Sequence, residues 1–394
     1  MRRMAAQTPG KHGIADMWYR PDGSPTKLAE PDSSPRRPRG EGSRWRAWYI
    51  DTDGKERTKR FATKQPAEDW LSAQTADLTK GTWISPERSG ESFGTVAAEW
   101  LASKKTSRSP KTVAGYESLL DTVILGRWRS VPLKDMKHGE LQQWITDLST
   151  TGGTRKGGTG LSASRVRQAH QVISAVLRYA IRTERLVKNV ATDIDLPVKQ
   201  SAPRRYLTHK QLQQLAAKAD RFEALTLVLG YCGLRIGEAI ALRRRDIGNR
   251  TITVRTSVTS VTGQGQVEGD TKTHRGREVP VPAFVWERLK GELPDDPDAL
   301  VFPSRKGGHL TIGEYRWVFD SAASDIALGG LVPHELRHTC ASLAISAGAN
   351  VKAVQTLLGH ASAVMTLDLY GHLLSDDLTR VARSLDRAAR RAAA

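Results

Sequence analysis

Two short linkers divide this chain into three segments with different hydrophobic patterns, and this division constrains the fold more than any other feature. The linkers are GTWISPERSGES (81–92) and LPVKQSAPRR (196–205), both rich in Pro, Ser or Gly and in charge. A chain of 394 residues corresponds to two or three domains, each long enough to bury a core. We therefore expect a multidomain protein, mainly α-helical with small β-sheets, with domains at 1–85, 91–195 and 205–390.

The first segment has the pattern of a small sheet followed by one helix. The stretches GIADMWYR, RWRAWYID and ERTKRFA predict three strands, and the turn TDG joins the last two in a hairpin. An amphipathic helix is expected to begin near Gln65. Residues 24–43 are too rich in Pro, Ser, Gly and charge to pack, so we expect a disordered insertion there.

The second segment is predicted to be entirely helical, because four stretches between Phe93 and Val190 show apolar residues with a period of 3.6. Ser109 and Ser162 are candidate N-caps for two of these helices. The third segment mixes helices with strand-like stretches such as TITVRTSVTS, and its first helix is predicted from the capping box formed by Thr208 and Gln211.

The charge of the chain indicates a polyanionic partner. The formal net charge is +18, and basic residues outnumber acidic ones in each of the three segments. Nucleic acid is the simplest partner for an excess that is spread in this way. The two cysteines, the absence of a signal-like N-terminus and the shortness of the apolar runs lead us to expect a cytoplasmic protein without membrane spans.

Basic side chains in two places are candidates for DNA contact. Five lie on the predicted strands of the first segment, where a solvated sheet face is an almost equal alternative. Two more lie in the basic loop TTGGTRKGGTG between the predicted helices of the second segment. These candidates are Arg44, Arg46, Arg57, Lys59, Arg60, Arg155 and Lys156.

Two motifs of the third segment place cations where an anion could bind. CGLRIGEAIAL puts Arg235 at the start of a helix, where free backbone N–H groups and the helix dipole favour an anion. Glu238 lies on the same helix face and could hold the guanidinium group. DTKTHRGREV puts Lys272 in a predicted β-hairpin, although a hairpin lysine is ordinarily only solvated.

Two further motifs add histidines, a second arginine and a tyrosine. PHELRHT presents His334 and Arg337 one helical turn apart on one face. LLGH contains His360, and Tyr370 follows ten residues later. In such a set, arginines can clamp phosphate oxygens, a lysine can protonate a leaving oxygen, and histidines can move protons. A tyrosine can attack phosphorus if its pKa of about 10 is overcome.

The order of these residues resembles the tyrosine recombinase family, in particular phage-type and mobile-element integrases. The boxes GLRIGE, HELRHT and LLGH carry the resemblance, together with the tyrosine ten residues after the last box. It implies an N-terminal arm-type DNA-binding module built from a three-stranded sheet and a helix. It also implies an all-α SAM-like core-binding domain and an α+β catalytic domain. The catalytic set implied by the resemblance is Arg235, Lys272, His334, Arg337, His360 and Tyr370.

The resemblance also implies the reaction. Tyr370 would attack the scissile phosphate, forming a 3′-phosphotyrosyl bond and releasing a 5′-hydroxyl. A hydroxyl of a partner duplex would then reverse the step, so that neither ATP nor a metal ion is required. Arg235 and Arg337, assisted by His360, would clamp the phosphate.

Proton transfer is assigned by the same resemblance. Lys272 would be the general acid, and His334 is the leading candidate to assist proton transfer at the tyrosine. For His338 and His372 we expect only a structural or surface role.

The expected function is site-specific integration, and by extension excision, of a phage or mobile element. The expected partners are double-stranded DNA attachment sites, a homotetramer on DNA, and an excision factor or a host DNA-bending protein. No cofactor and no metal are expected.

Three alternatives remain open. HELRH matches the zinc-protease pattern H-E-x-x-H, but the helix start at Pro333 and the cation of Arg337 make zinc binding there unfavourable. A DNA-binding protein without catalytic activity would tolerate loss of Tyr370. A type IB topoisomerase would share the chemistry but relax DNA without exchanging partners.

Overall fold

The structure is a computed structural model whose described residues form two compact units that divide after residue 200. The described residues are 9–31, 33–152, 160–199, 204–270, 276–371 and 377–393. The predicted site residues Arg155, Lys156 and Lys272 lie outside them, as does His372.

The first unit opens with the predicted three-stranded sheet and helix. The strands are β1 (His12–Asp16), β2 (Trp45–Ile50) and β3 (Glu56–Phe61), paired antiparallel in the order β1-β2-β3, and the helix is α1 (Lys64–Lys80). Alternate residues of β2 face α1, so that Ala47 and Tyr49 pack against Leu71 in a small core. Gly81 ends α1 in the left-handed conformation (φ 67°), which glycine adopts without strain.

The prediction of a disordered insertion at 24–43 was wrong for the residues described there. The chain folds back on the segment after β1 through turns and short bridges. Thr26 donates its backbone N–H to Trp18 O (2.8 Å), and the Trp18 indole N–H donates to Glu41 O (3.1 Å). The composition indicated disorder because Pro, Ser, Gly and charged residues dominate the segment, whereas its contacts are made with Trp18, just outside it.

The rest of the first unit is helical, as predicted. Its helices are α2 (Pro86–Ser89), α3 (Phe93–Lys105), α4 (Pro110–Leu119), α5 (Leu125–Trp128), α6 (His138–Thr150) and α7 (Ala163–Arg182). A π-helical turn joins α4 to α5. The predicted caps are present, because Ser109 and Ser162 accept backbone N–H groups of the first turn of α4 and α7. Buried Trp100, Trp128 and Leu177 belong to a core that is separate from that of the sheet.

The second unit combines helices with two small antiparallel sheets. One sheet has the strand order β4-β5-β8 and the other pairs β6 with β7. The strands are β4 (Ile247–Gly248), β5 (Thr251–Val254), β6 (Thr256–Val261), β7 (Gly265–Asp270) and β8 (Arg277–Pro280). The helices are α8 (His209–Lys218), α9 (Glu223–Leu227), α10 (Ile236–Ala241), α11 (Ala283–Leu289), α12 (Ile312–Asp325), α13 (Pro333–Ser346), α14 (Val351–Leu358), α15 (Ala363–Tyr370) and α16 (Asp377–Ala392).

The core of this unit fixes the elements that carry the predicted site. Its buried apolar residues come from α8 to α13 and from β4, β5, β6 and β8, among them Leu225, Ile252 and Leu336. The capping box predicted at Thr208 and Gln211 is present at the start of α8. Among the described residues, no helix is both long enough and apolar enough to cross a bilayer.

Candidate active site

Arg235 is positioned by a sharp change of chain direction. A π-helical turn, Val228–Cys232, follows α9 and ends at Gly233 in the left-handed conformation (φ 65°), and Arg235 then caps α10. A Cβ at Gly233 would lie 2.7 Å from Cδ2 of Leu358 and 3.0 Å from the Cys340 sulfur. Only glycine therefore satisfies both the backbone conformation and the close approach of α14.

Glu238 anchors two arginines at this corner. Its Oε1 accepts a hydrogen bond from Arg235 Nη1 at 2.7 Å, as the sequence suggested. Both of its oxygens also accept from Arg277, at 3.1 and 2.7 Å. Burial raises the pKa of the Glu238 carboxyl, but the hydrogen bonds and charges of Arg277 and Arg235 outweigh this and lower it to about 2. Arg277 was not predicted, although it lies in the DTKTHRGREV motif.

Arg337 lies buried at the centre of the site, with only 3% of its surface exposed. From the first turns of α13 its guanidinium donates to the carbonyl oxygens of Gly233 and Leu358. Burial lowers the pKa of Arg337 to about 10, and the nearby charge of Arg235 acts in the same direction. Two of its five N–H donors are used in these contacts, so the remaining donors can bind an anion.

His360 follows the end of α14 at Gly359. Its Nδ1 shares a hydrogen bond of 2.9 Å with the Thr366 hydroxyl, and its ring is parallel to that of Tyr370 with centroids 6.5 Å apart. Burial lowers the pKa of His360 to about 4, assisted by the charges of Arg337 and Arg235. His360 is therefore neutral at pH 7 in the DNA-free protein.

Tyr370 closes the site at the end of α15, with 1% of its surface exposed. Its hydroxyl shares a hydrogen bond of 2.8 Å with Nδ1 of His338. Burial raises the pKa of Tyr370 to about 12, although the charge of Arg337 opposes this. Burial also lowers the pKa of His338 to about 4, and His334 contributes in the same direction. Both shifts keep the proton on the tyrosine in the absence of DNA.

His334, predicted to assist the tyrosine, packs edge to face against His338 with ring centroids 5.0 Å apart. The sequence interpretation gave His338 only a structural or surface role, yet His338 is the residue hydrogen-bonded to the tyrosine hydroxyl. The sequence could have indicated His338 as a second candidate, because positions 334 and 338 are four apart in one helix and therefore share a face.

The zinc-like pattern HELRH serves other purposes in the structure. Glu335 accepts backbone N–H groups of Val332 (2.9 Å) and Arg205 (3.2 Å) and so caps α13. His338 is bonded to the tyrosine. Within the described ranges, no three His, Cys, Asp or Glu side chains are grouped as metal ligands.

Comparison with known proteins identifies the family of this chain. Residues 205–376 match the description "Phage integrase family", and residues 93–196 match "Phage integrase central domain". The chain belongs to the phage integrase family of tyrosine recombinases. The resemblance and the fold class predicted from the sequence are thereby confirmed.

Similar proteins span most of the length of this integrase. The phiRv2 prophage integrase of Mycobacterium tuberculosis is 26% identical over 338 residues, covering 81% of this chain and 86% of that protein. The Tn1549 transposon integrase in complex with a circular intermediate DNA has a TM-score of 0.62 at 22% identity, over 71% of this chain and 95% of the other. A lambda integrase tetramer bound to a Holliday junction has a TM-score of 0.52 at 18% identity, covering 82% of this chain and 91% of that chain.

The basic residues predicted for DNA contact in the sheet module of the integrase divide into two groups. Three form ion pairs within the first unit: Arg44 with Asp16, Arg46 with Glu56, and Arg57 with both Asp51 and Glu87. Lys59 and Arg60 are exposed on β3. Arg60 stands opposite Arg46 in the sheet, on the face directed away from α1. Exposed Lys59 and Arg60 are therefore better placed to meet a phosphate than the paired arginines.

The helical part of the integrase carries a cationic groove that the sequence interpretation did not identify. The groove lies between α3, α4 and α7 and has a volume of about 980 Å³. Its lining combines basic side chains with the glutamines Gln168 and Gln171 and with Trp100 and Tyr116, whose ring centroids are 5.1 Å apart. The basic side chains are Lys104, Arg108, Arg165, Arg178 and Arg182. Cations can bind phosphates, while glutamines can bind base edges.

Proposed function

We propose that this integrase recombines double-stranded DNA attachment sites through a covalent 3′-phosphotyrosyl bond at Tyr370. The observation that carries the proposal is the position of the Tyr370 hydroxyl in one buried site with His338, His360 and the charge of Arg337. In the DNA-free chain the proposed nucleophile thus lies beside two histidines and a buried guanidinium group.

The phosphate would bind in front of Arg235 and Arg337. The pKa of Arg337 is lowered to about 10 by burial and by the neighbouring Arg235, so an anion placed between the two arginines relieves unfavourable electrostatics. As the tyrosine oxygen approaches phosphorus, negative charge grows on the non-bridging oxygens, and preorganised guanidinium groups stabilise that charge. His360, held by Thr366, would add a further contact.

The proposed reaction needs no external energy source, because each phosphoester bond that breaks is replaced by another. The tyrosine oxygen forms a bond to phosphorus while the bond to the 5′ oxygen breaks, and the leaving oxygen takes a proton. We assign that proton to Lys272, as its place in the motif suggests; this residue is outside the described ranges. One phosphoester replaces another, so a hydroxyl of a second duplex can reverse the reaction.

The assembly on DNA is proposed to be a homotetramer. The likeness to a lambda integrase tetramer bound to a Holliday junction supports this. The cationic groove of the helical part and the exposed basic residues of β3 would hold the flanking DNA. An excision factor or DNA-bending host protein stays a prediction.

The test is covalent trapping on a suicide substrate whose nick lets the cleaved end diffuse away. Wild-type protein is expected to form a protease-sensitive covalent complex, and Tyr370→Phe none, while both bind the DNA equally. Arg235→Ala and Arg337→Ala should lose cleavage, each at a cost of about 3–4 kcal/mol in the transition state. Trapping by Tyr370→Phe at the wild-type level would refute the assignment of the nucleophile.

A further inference from the structure

The hydrogen bond between His338 and Tyr370 gives the histidine a direct contact with the reacting atom of the proposed reaction. We propose that His338 is a catalytic residue that takes the hydroxyl proton of Tyr370 as the tyrosine oxygen bonds to phosphorus. This inference rests on the proposed function, because it concerns the proton of the proposed nucleophile.

The geometry satisfies the first requirement of a general base. Nδ1 of His338 lies 2.8 Å from the tyrosine oxygen, within the range in which a proton is transferred directly. In neutral histidine an Nδ1 that accepts this hydrogen bond leaves the proton on Nε2. His338 is on α13 and Tyr370 on α15, and their rings lie 5.8 Å apart, so two packed helices fix the approach.

The surroundings keep His338 in the form that can accept a proton. Burial and nearby positive charge favour the neutral imidazole, which is the basic form. A bound phosphate would bring a negative charge into the same site, stabilise the imidazolium ion and make the transfer easier as the attack proceeds. The titratable or charged groups around His338 are His334 and Arg337 on its own helix, Arg204 before α8, His360 after α14, and Tyr370 on α15.

The step is balanced within the site. The O–H bond of Tyr370 breaks, its proton moves to Nδ1 of His338, and the oxygen electron pair forms the bond to phosphorus. The bond from phosphorus to the 5′ oxygen breaks, and that oxygen is protonated by the general acid. In the reverse step His338 returns the proton to the tyrosine, which leaves as a neutral phenol.

Two substitutions separate proton transfer from mere positioning. His338→Asn places an amide oxygen close to the position of Nδ1, so it can accept the hydrogen bond but cannot take the proton. His338→Ala removes both abilities. We expect both variants to lower the single-turnover cleavage rate of the suicide substrate by about 10²- to 10⁴-fold, with unchanged DNA affinity.

A matched control exists on the surface of the same unit. His209 shares a hydrogen bond of 3.1 Å with the hydroxyl of Tyr231 through its Nδ1, the same pairing outside the site. His209→Asn is expected to cleave at the wild-type rate. Melting curves and DNA binding verify that each variant is folded.

Two further readouts identify the proton acceptor. The wild-type cleavage rate should fall as the pH decreases through the pKa of His338, and this decrease should be absent in His338→Asn. A difluorotyrosine at position 370 should restore part of the rate lost in His338→Asn. Its phenol is more acidic, so it loses its proton more readily without a general base.

The inference is overturned if His338→Asn cleaves at the wild-type rate, since the histidine would then only hold the tyrosine. It is also overturned if His338→Ala does so, since the contact would then have no role. A wild-type protein that forms no covalent complex would instead contradict the proposed function.

Discussion

Glu238 offers a quantitative test of how the site is held together. The carboxylate is 1% exposed and forms hydrogen bonds to Arg235 and Arg277. Its pKa is lowered from 4.5 to about 2. At about 1.4 kcal/mol per pH unit this corresponds to about 3 kcal/mol of stability at neutral pH. We expect the free energy of unfolding of Glu238→Gln at pH 7 to be lower than that of the wild type by about 3 kcal/mol.

The pH dependence follows from the direction of the shift. A depressed pKa means that the folded protein binds a proton less readily than the unfolded chain. The contribution of Glu238 is therefore complete above about pH 4.5 and is lost as the pH falls toward 2. The wild type and Glu238→Gln should consequently differ most at pH 7, and the difference should shrink between pH 5 and pH 3.

The assay is scanning calorimetry of the full chain. For a unit of this size, about 3 kcal/mol corresponds to a fall in melting temperature of about 6 to 12 °C. Glu287→Gln is a matched control, because Glu287 forms an exposed ion pair with Lys290 in the same unit. That change should alter stability by less than about 0.5 kcal/mol. A melting temperature of Glu238→Gln within about 1 °C of the wild type at pH 7 would refute the reasoning.

Three other predictions concern the backbone, the DNA groove and metal dependence. Gly233→Ala should lower stability by about 1–3 kcal/mol, because alanine is strained at φ 65° and its Cβ would meet Leu358; an unchanged melting curve would contradict this. Arg165→Ala, in the cationic groove, should weaken binding about equally for all DNA sequences and reduce the salt-dependence slope by about one, whereas an unaltered slope would place the DNA elsewhere. Cleavage should continue in excess EDTA, and a loss restored by Zn²⁺ would revive the zinc interpretation of HELRH.

The sequence predicted the elements of the fold well where local chemistry determines them. Three strand-like stretches and the TDG turn predicted the sheet module, and the serine and threonine caps marked where α4, α7 and α8 begin. The close approach of Leu358 to Gly233 was not predictable in the same way, because it joins two positions far apart in the sequence.

The sequence proposed candidate members of the site but not all of the contacts that the structure shows between them. Motif spacing selected Arg235, Arg337 and Tyr370, and the pairing of Glu238 with Arg235 followed from helix geometry. The second pairing of Glu238, with Arg277 of β8, joins residues 39 positions apart in the sequence, and no local pattern reveals it. Likewise, local sequence does not reveal which of the two histidines on one face of α13 contacts the tyrosine. That depends on where α15 packs against α13.

The central claim is that the hydroxyl of Tyr370 becomes joined to DNA. The most direct measurement is mass spectrometry of the covalent complex after digestion with trypsin and nuclease, to find which peptide carries a nucleotide. The account predicts a single modified peptide, residues 353–380, with the added phosphate on Tyr370. A nucleotide attached to any other residue, such as Tyr206 or Tyr231, would contradict it.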